Sequence, residues 1–175
     1  MKNRNNIIGV DIGGVIIGRI HDKADTSFFG ANYLETPQIE GAFESLRNLT
    51  EAGFLIYLVS KCGKEVQEKS LNWLEHHYFF ETTGVEKSNL RFCKTRPEKA
   101  GICTELGANY FVDDRLEILS YLHDVEHRFL FNANDKEVMR FARFATEVHR
   151  TDSWAEIEKM IIPSTRQLRG ALHAP

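Results

Sequence analysis

Short apolar runs alternate along the chain with segments of helical period. Ile7–Val10, Phe54–Val59, Leu90–Cys93, Tyr110–Val112 and Phe129–Phe131 are brief, β-branched or aromatic, and almost continuous in apolar character. Strands covered on both faces read this way. Between them, Ile39, Phe43, Leu46 and Thr50 recur at spacings of four, three and four, which predicts a helix over Gly41–Glu51 that buries one stripe and stops at Gly53. Lys64–Tyr78 repeats the pattern through Val66, Ser70, Trp73, Leu74 and His77. Pro97 suits the first turn of a helix that carries Cys103 and Leu106 and ends at Gly107. Ser153 and Glu156 form a capping box that starts a last helix, read through Met160.

Alternation on this scale builds βαβ units. The expected fold is therefore α/β: a doubly wound three-layer α/β/α sandwich around a five-stranded, mainly parallel sheet. Residues 1–163 read as one domain, with 16–40 as a flap or loop insertion and 164–175 as a loosely held tail. Folds of this class bind ligands beyond the carboxyl ends of their strands. Asp11, Ser60 and the Asp113-Asp114 pair each follow directly on a predicted strand, so they should converge on one edge.

Composition narrows the field. In 175 residues, 42% hydrophobic, there is enough material for one self-sufficient core. A net charge of -3 gives no reason to expect nucleic acid. No apolar run approaches the roughly 20 residues that span a bilayer, and Asp11 cuts the first apolar run too early for a signal peptide. Cys62, Cys93 and Cys103 are odd in number and form no zinc-type pair, which fits a reducing cytoplasm. Neither Cys62 nor Cys93 has a CxxC partner or a neighbouring His to activate it, and His76 and His77 have no metal spacing.

The candidate chemistry starts in "GVDIGGV", where Asp11 ends a strand and Gly13 and Gly14 follow it. A lone carboxylate there is a strand cap, a nucleophile or a metal ligand. "NYFVDDRLEIL" closes a second strand with two adjacent carboxylates, which repel unless a cation sits between them or one is protonated. A few hard oxygen ligands of this kind suit Mg²⁺. Ser60, ending "FLIYLVS", offers a hydroxyl to a phosphoryl oxygen. Lys99, or alternatively Lys94, could neutralise a phosphoryl dianion and hold a nucleophile ionised.

The order Asp11, Ser60, Lys99, Asp113-Asp114 resembles the four motifs of the haloacid dehalogenase-like (HAD) hydrolases. "IEGAFESLRNLTEAGFLIYLVSKCG" is similar to the family's segment running to the second motif, and "LGANYFVDDRLEIL" to its acidic fourth motif, so the likeness spans roughly residues 7 to 160. It implies a small, capless Mg²⁺-dependent phosphatase. Asp11 would be nucleophile and metal ligand, Ser60 and the Gly13-Gly14 loop would hold phosphate, and Lys99 (or Lys94) would clamp it. The Gly13 carbonyl and Asp114, by register, or Asp113 would complete the metal site. One departure is plain: the family's second aspartate, which acts as general acid and base, is Gly13 here. That implies a slow or substrate-restricted phosphatase, or else a domain that binds Mg²⁺ and a phosphorylated ligand or protein partner without turnover. His21, Asp22 and Asp25 are candidate substitutes.

Two other readings fall away. The phosphate loop of sugar-kinase and actin-like ATPases is similar to "GVDIGGV", but those proteins need a second such loop and two large subdomains. Receiver domains use similar residues in the reverse order. Because residues 16–40 are too short for a helical cap, the site is expected to be open, with Phe28, Phe29 and Tyr33 near its mouth. The expected partner is a phosphorylated small molecule or a larger phosphorylated substrate, with no nucleic acid and no membrane. The oligomeric state stays open.

Overall fold

The computed structural model describes residues 6–19 and 28–171, with side chains up to residue 162. Its strands are β1 (Ile7–Val10), β2 (Leu55–Lys61), β3 (Leu90–Cys93), β4 (Tyr110–Asp113), β5 (His127–Phe131) and β6 (His149–Thr151). The helices are α1 (Ala42–Glu51), α2 (Lys64–His76), α3 (Phe79–Thr83), α4 (Glu98–Leu106), α5 (Leu116–Leu119), α6 (Asp135–Arg140) and α7 (Trp154–Ala171). The sheet runs β3-β2-β1-β4-β5-β6, and every neighbouring pair is parallel. This is the expected doubly wound α/β arrangement, with six strands instead of five. β6 escapes the sequence pattern because it is a three-residue edge strand, His-Arg-Thr, with only Thr151 buried. An edge strand covered on few sides needs no apolar run.

Strand residues alternate between two cores, one on each face of the sheet. Ile8, Val10, Ile56, Leu58 and Val112 meet Leu46 and Leu49 of α1, Trp73 of α2, Phe79 of α3 and Trp154 of α7. Ile7, Val59, Phe111 and Leu130 meet Cys103 of α4 and Leu116 and Leu119 of α5 on the other face.

Other boundaries also shift. α2 stops at His76 because Tyr78 turns left-handed (φ 53°), and α3 then begins, so the stretch between β2 and β3 holds two helices where the sequence suggests one. α7 continues past Met160, through Pro163, to Ala171. Its capping box is half formed. The Glu156 N–H reaches Ser153 Oγ at 3.4 Å, while the Glu156 carboxylate accepts from the Thr151 hydroxyl instead of the cap backbone. The segment before α1 is tied to α2: Trp73 Nε1 donates to Thr36 O (2.9 Å), and His77 Nε2 lies 2.7 Å from Leu34 O. The helical spacing puts His77 on the stripe it shares with Trp73, and the structure gives it this anchoring contact.

Candidate active site

β1 and β4 are neighbours that lead away to opposite halves of the sheet, and the crevice at such a point is where doubly wound folds place ligands. Asp11 follows β1 directly, and its N–H donates to Val112 O of β4 (2.9 Å). Asp113 is the last residue of β4 and Asp114 the next. Sheet register alone therefore brings the three carboxylates together. Each can place an oxygen within 4.8 Å of the others, and all three residues are buried.

Lys99 rises beneath them from the first turn of α4. It is 1% exposed, and its Nζ lies 2.8 Å from both Asp11 Oδ1 and Asp113 Oδ2. Burial by itself would lower its pKa, but the two aspartates outweigh that and hold the ammonium above its ordinary range. The ammonium also lies 5.6 Å from the centre of the Phe111 ring. Lys94, the other candidate, is exposed, with its backbone N–H held by Glu98 Oε2 at 3.0 Å, and it does not line the cavity.

The remaining oxygens divide unequally. Asp113 Oδ1 accepts from the Arg115 N–H (2.9 Å), so both Asp113 oxygens are engaged. Asp114 Oδ2 is held by Arg19 at 2.5 Å, while Asp114 Oδ1 is buried without a hydrogen-bond partner. Burial pushes the Asp113 carboxyl up to about 7 and that of Asp114 up to about 6, opposed by Lys99 and Arg19 respectively. An orphaned buried carboxylate oxygen beside two further carboxylates is a donor set that fits a hard cation such as Mg²⁺. Asp11, Asp114 and the Gly13 carbonyl are the groups on hand to hold it.

A cavity of about 460 Å³ opens over this cluster, lined by Asp11, Gly13, Gly14, Ser60 and Lys99 among others. Gly14 has φ 81°, and a Cβ there would fall 2.4 Å from Asp114 Oδ2, so the turn excludes any side chain. At Gly13 a Cβ would meet nothing within 4 Å. The loop is fixed from behind, where Trp154 Nε1 of α7 donates to Val15 O (2.9 Å). Phe28 and Phe29 line the mouth, Phe29 at 78% exposure, whereas Tyr33 stands off the cavity beside Lys69 of α2. His21, Asp22 and Asp25 lie outside the described residues. Sequence reasoning missed four cations that line the cavity: Arg19, Lys61, Arg96 and Arg115. Long basic side chains on loops and at strand ends look like ordinary surface; the only available signal was that Lys61 follows Ser60 and Arg115 follows Asp114.

Comparison with known families is decisive at this point. Residues 19–168 match the model of the family described as 5′ nucleotidase, deoxy (pyrimidine), cytosolic type C protein. The chain belongs to this family. With it comes the HAD superfamily and a hydrolase of phosphatase type. The matched stretch begins after the Asp11 loop, so the reading of that loop rests on its geometry. No curated protein matches the chain. Among solved structures, the D,D-heptose 1,7-bisphosphate phosphatase from B. bronchiseptica is similar at TM-score 0.66 and 14% identity, over 91% of this chain and 99% of that one. A HAD family hydrolase from Deinococcus radiodurans R1 is similar at TM-score 0.60 and 13% identity, over 88% and 93%. A HAD-superfamily hydrolase from Ehrlichia chaffeensis follows at TM-score 0.57 and 12% identity, over 92% and 97%. At these identities the likeness is one of fold, and it spans this nucleotidase-family chain almost end to end. Among the described residues, no helix is long and apolar enough to cross a membrane.

Proposed function

We propose that this chain is a Mg²⁺-dependent phosphomonoester hydrolase that works through an aspartyl-phosphate on Asp11. The observation that carries the reading is the Lys99 ammonium, buried and bridging Asp11 and Asp113, beside the unpartnered oxygen of Asp114. A buried lysine fixes the orientation of the Asp11 carboxylate through Oδ1, and its positive charge offsets the charge gathering on the transferring phosphoryl group. Asp113, with both oxygens occupied, positions Lys99. Ser60 Oγ offers a hydrogen bond to a phosphoryl oxygen. Mg²⁺, when bound, would neutralise the phosphoryl group and align it with the Asp11 carboxylate.

The family name makes 5′-nucleotides the first substrate class to screen, and a mouth lined by Phe28 and Phe29 supports a flat, partly apolar leaving group. The second reading, a domain that binds a phosphorylated ligand without turnover, is favoured by Gly13 alone.

The test is phosphate release from an aryl phosphate, with and without Mg²⁺, for the wild type and Asp11→Asn. The hydrolase reading expects Mg²⁺-dependent release that Asp11→Asn abolishes. No release above the Asp11→Asn background, with Mg²⁺ binding retained by calorimetry, would leave the binding-domain reading standing. Loss of Mg²⁺ binding as well would remove the assigned site.

A further inference from the structure

We infer that Glu137 of α6 is a positioning residue of the active site, whose carboxylate holds the turn that aims Asp114 at the metal site. This rests on the metal site proposed above and supplies its outer support.

The ground is the way the chain is held after β4. Asp114 and Arg115 lead from β4 into α5, a helix of only four residues, Leu116–Leu119. So short a helix does not hold itself, because the first turn of any helix costs more order than its hydrogen bonds return. Its first N–H groups also have no partner within the helix. Arg115, at the N-cap, supplies no side-chain acceptor. Two carboxylates take over that task. Asp113 Oδ1 accepts from the Arg115 N–H at 2.9 Å. Glu137 accepts from the next two, Oε2 from Leu116 at 3.0 Å and Oε1 from Glu117 at 2.9 Å. Hydrogen bonds from an N–H to a carboxylate are roughly twice as strong as neutral ones.

Asp114 therefore sits between two fixed points. On one side Asp113 pairs with Leu130 in the sheet. On the other, two residues further on, Leu116 is held by Glu137. The buried Asp114 Oδ1, which has no hydrogen-bond partner, takes its direction from this short span. Glu137 also borders the same recess of about 340 Å³ as Asp114 and Arg115.

Glu137 is itself set in place. Asn134 caps α6, its Oδ1 accepting from the N–H groups of Lys136 at 3.0 Å and Glu137 at 3.3 Å. β5, which leads into α6, lies directly beside β4, so the sheet brings the cap next to the turn. Asp135, two residues before Glu137, turns instead to Arg150 at 2.5 Å. The clasp thus belongs to one side chain of α6.

The experiment titrates Mg²⁺ into wild type and variants by calorimetry, well below their melting temperatures. Glu137→Gln keeps the size of the side chain but replaces one acceptor oxygen with an NH₂ group that cannot accept. Loss of such an outer contact lowers metal affinity about 10–100-fold, so this variant should bind Mg²⁺ that much more weakly, with the number of sites unchanged. Asn134→Ala, which loosens Glu137 without touching the turn, should weaken binding by less and add little to Glu137→Gln. Asp135→Asn, which removes an exposed ion pair from the same helix, should bind as wild type does. A fold that is merely weakened gives fewer sites of unchanged affinity. That result, or wild-type affinity in Glu137→Gln, would overturn the inference and leave the metal site in place. Equal weakening in Asp135→Asn would also overturn it, by tracing the effect to α6 at large. A wild type that binds no Mg²⁺ would overturn the metal site itself.

Discussion

At the scale of single residues, Lys99 decides the character of the site. Its ammonium satisfies two carboxylates at the buried floor of the cavity. Removing one partner of such a buried set costs about 3–5 kcal/mol, because the remaining charge is left without compensation. Lys99→Met should therefore lower unfolding free energy by that order at pH 7, read by urea denaturation. The loss should grow with rising pH. Burial already raises the Asp113 pKa to about 7 from 3.8, and Lys99 is the main force against it. Without the lysine the folded-state pKa rises further. Below about 7 both folded forms hold that proton and the loss is flat; above it only the variant keeps the proton, and its loss increases. Equal loss in mild acid and in mild base would contradict this account. At this scale the sequence was readable where a residue's position relative to a strand end marks it, as for Asp11, Ser60 and Asp114. It could not choose between Lys94 and Lys99, because only the turn of α4 decides which of them points inward. Nor could it find Arg115 and Lys61, whose importance lies in the shape of the cavity.

At the scale of elements, the fit between β1 and β4 sets the position of that lysine. Gly9 pairs with Phe111 across the two strands, and a Cβ on Gly9 would fall 2.4 Å from the Phe111 ring. The missing side chain gives the ring its seat, and the ring lies beneath the Lys99 ammonium. Gly9→Ala should cost about 1–3 kcal/mol through overpacking. It should also weaken Mg²⁺ binding, since a displaced ring shifts the lysine; calorimetry checks the second effect and thermal melting the first. Mg²⁺ affinity equal to wild type would show that Phe111 does not position Lys99. Elements of strong periodicity, such as α1, were legible almost to the residue. Those carried by tertiary context were not: β6 is short and polar, and α3, α5 and α6 are too brief to show a period.

For the molecule as a whole, Cys103 reports on global opening. All three cysteines are buried and free, and Cys62 lines the cavity. Burial pushes the Cys103 thiol up to about 12 from 9.0 and that of Cys62 up to about 11. The folded chain therefore holds protons that the unfolded chain gives up, so these thiols make no pH-dependent difference well below pH 9 and cost stability as pH rises from about 9 to about 12. At pH 8, alkylation of Cys103 in the native protein should be slower than in a free peptide by on the order of a thousandfold. It should accelerate only in denaturant. Fast native labelling would mean that the α4 face opens without unfolding.

The hydrogen bond from Trp154 to Val15 joins positions 139 residues apart. During synthesis the Asp11 loop leaves the ribosome well before its anchor. A nascent chain halted before Trp154 would carry Asp11, Ser60, Lys99 and both Asp113 and Asp114, with the loop tied by backbone bonds such as Ile39 N–H to Ile16 O and Gly18 N–H to Pro37 O but without its brace from α7. Timing of translation thus acts as a safety catch: the brace closes on the loop only once Trp154 has emerged.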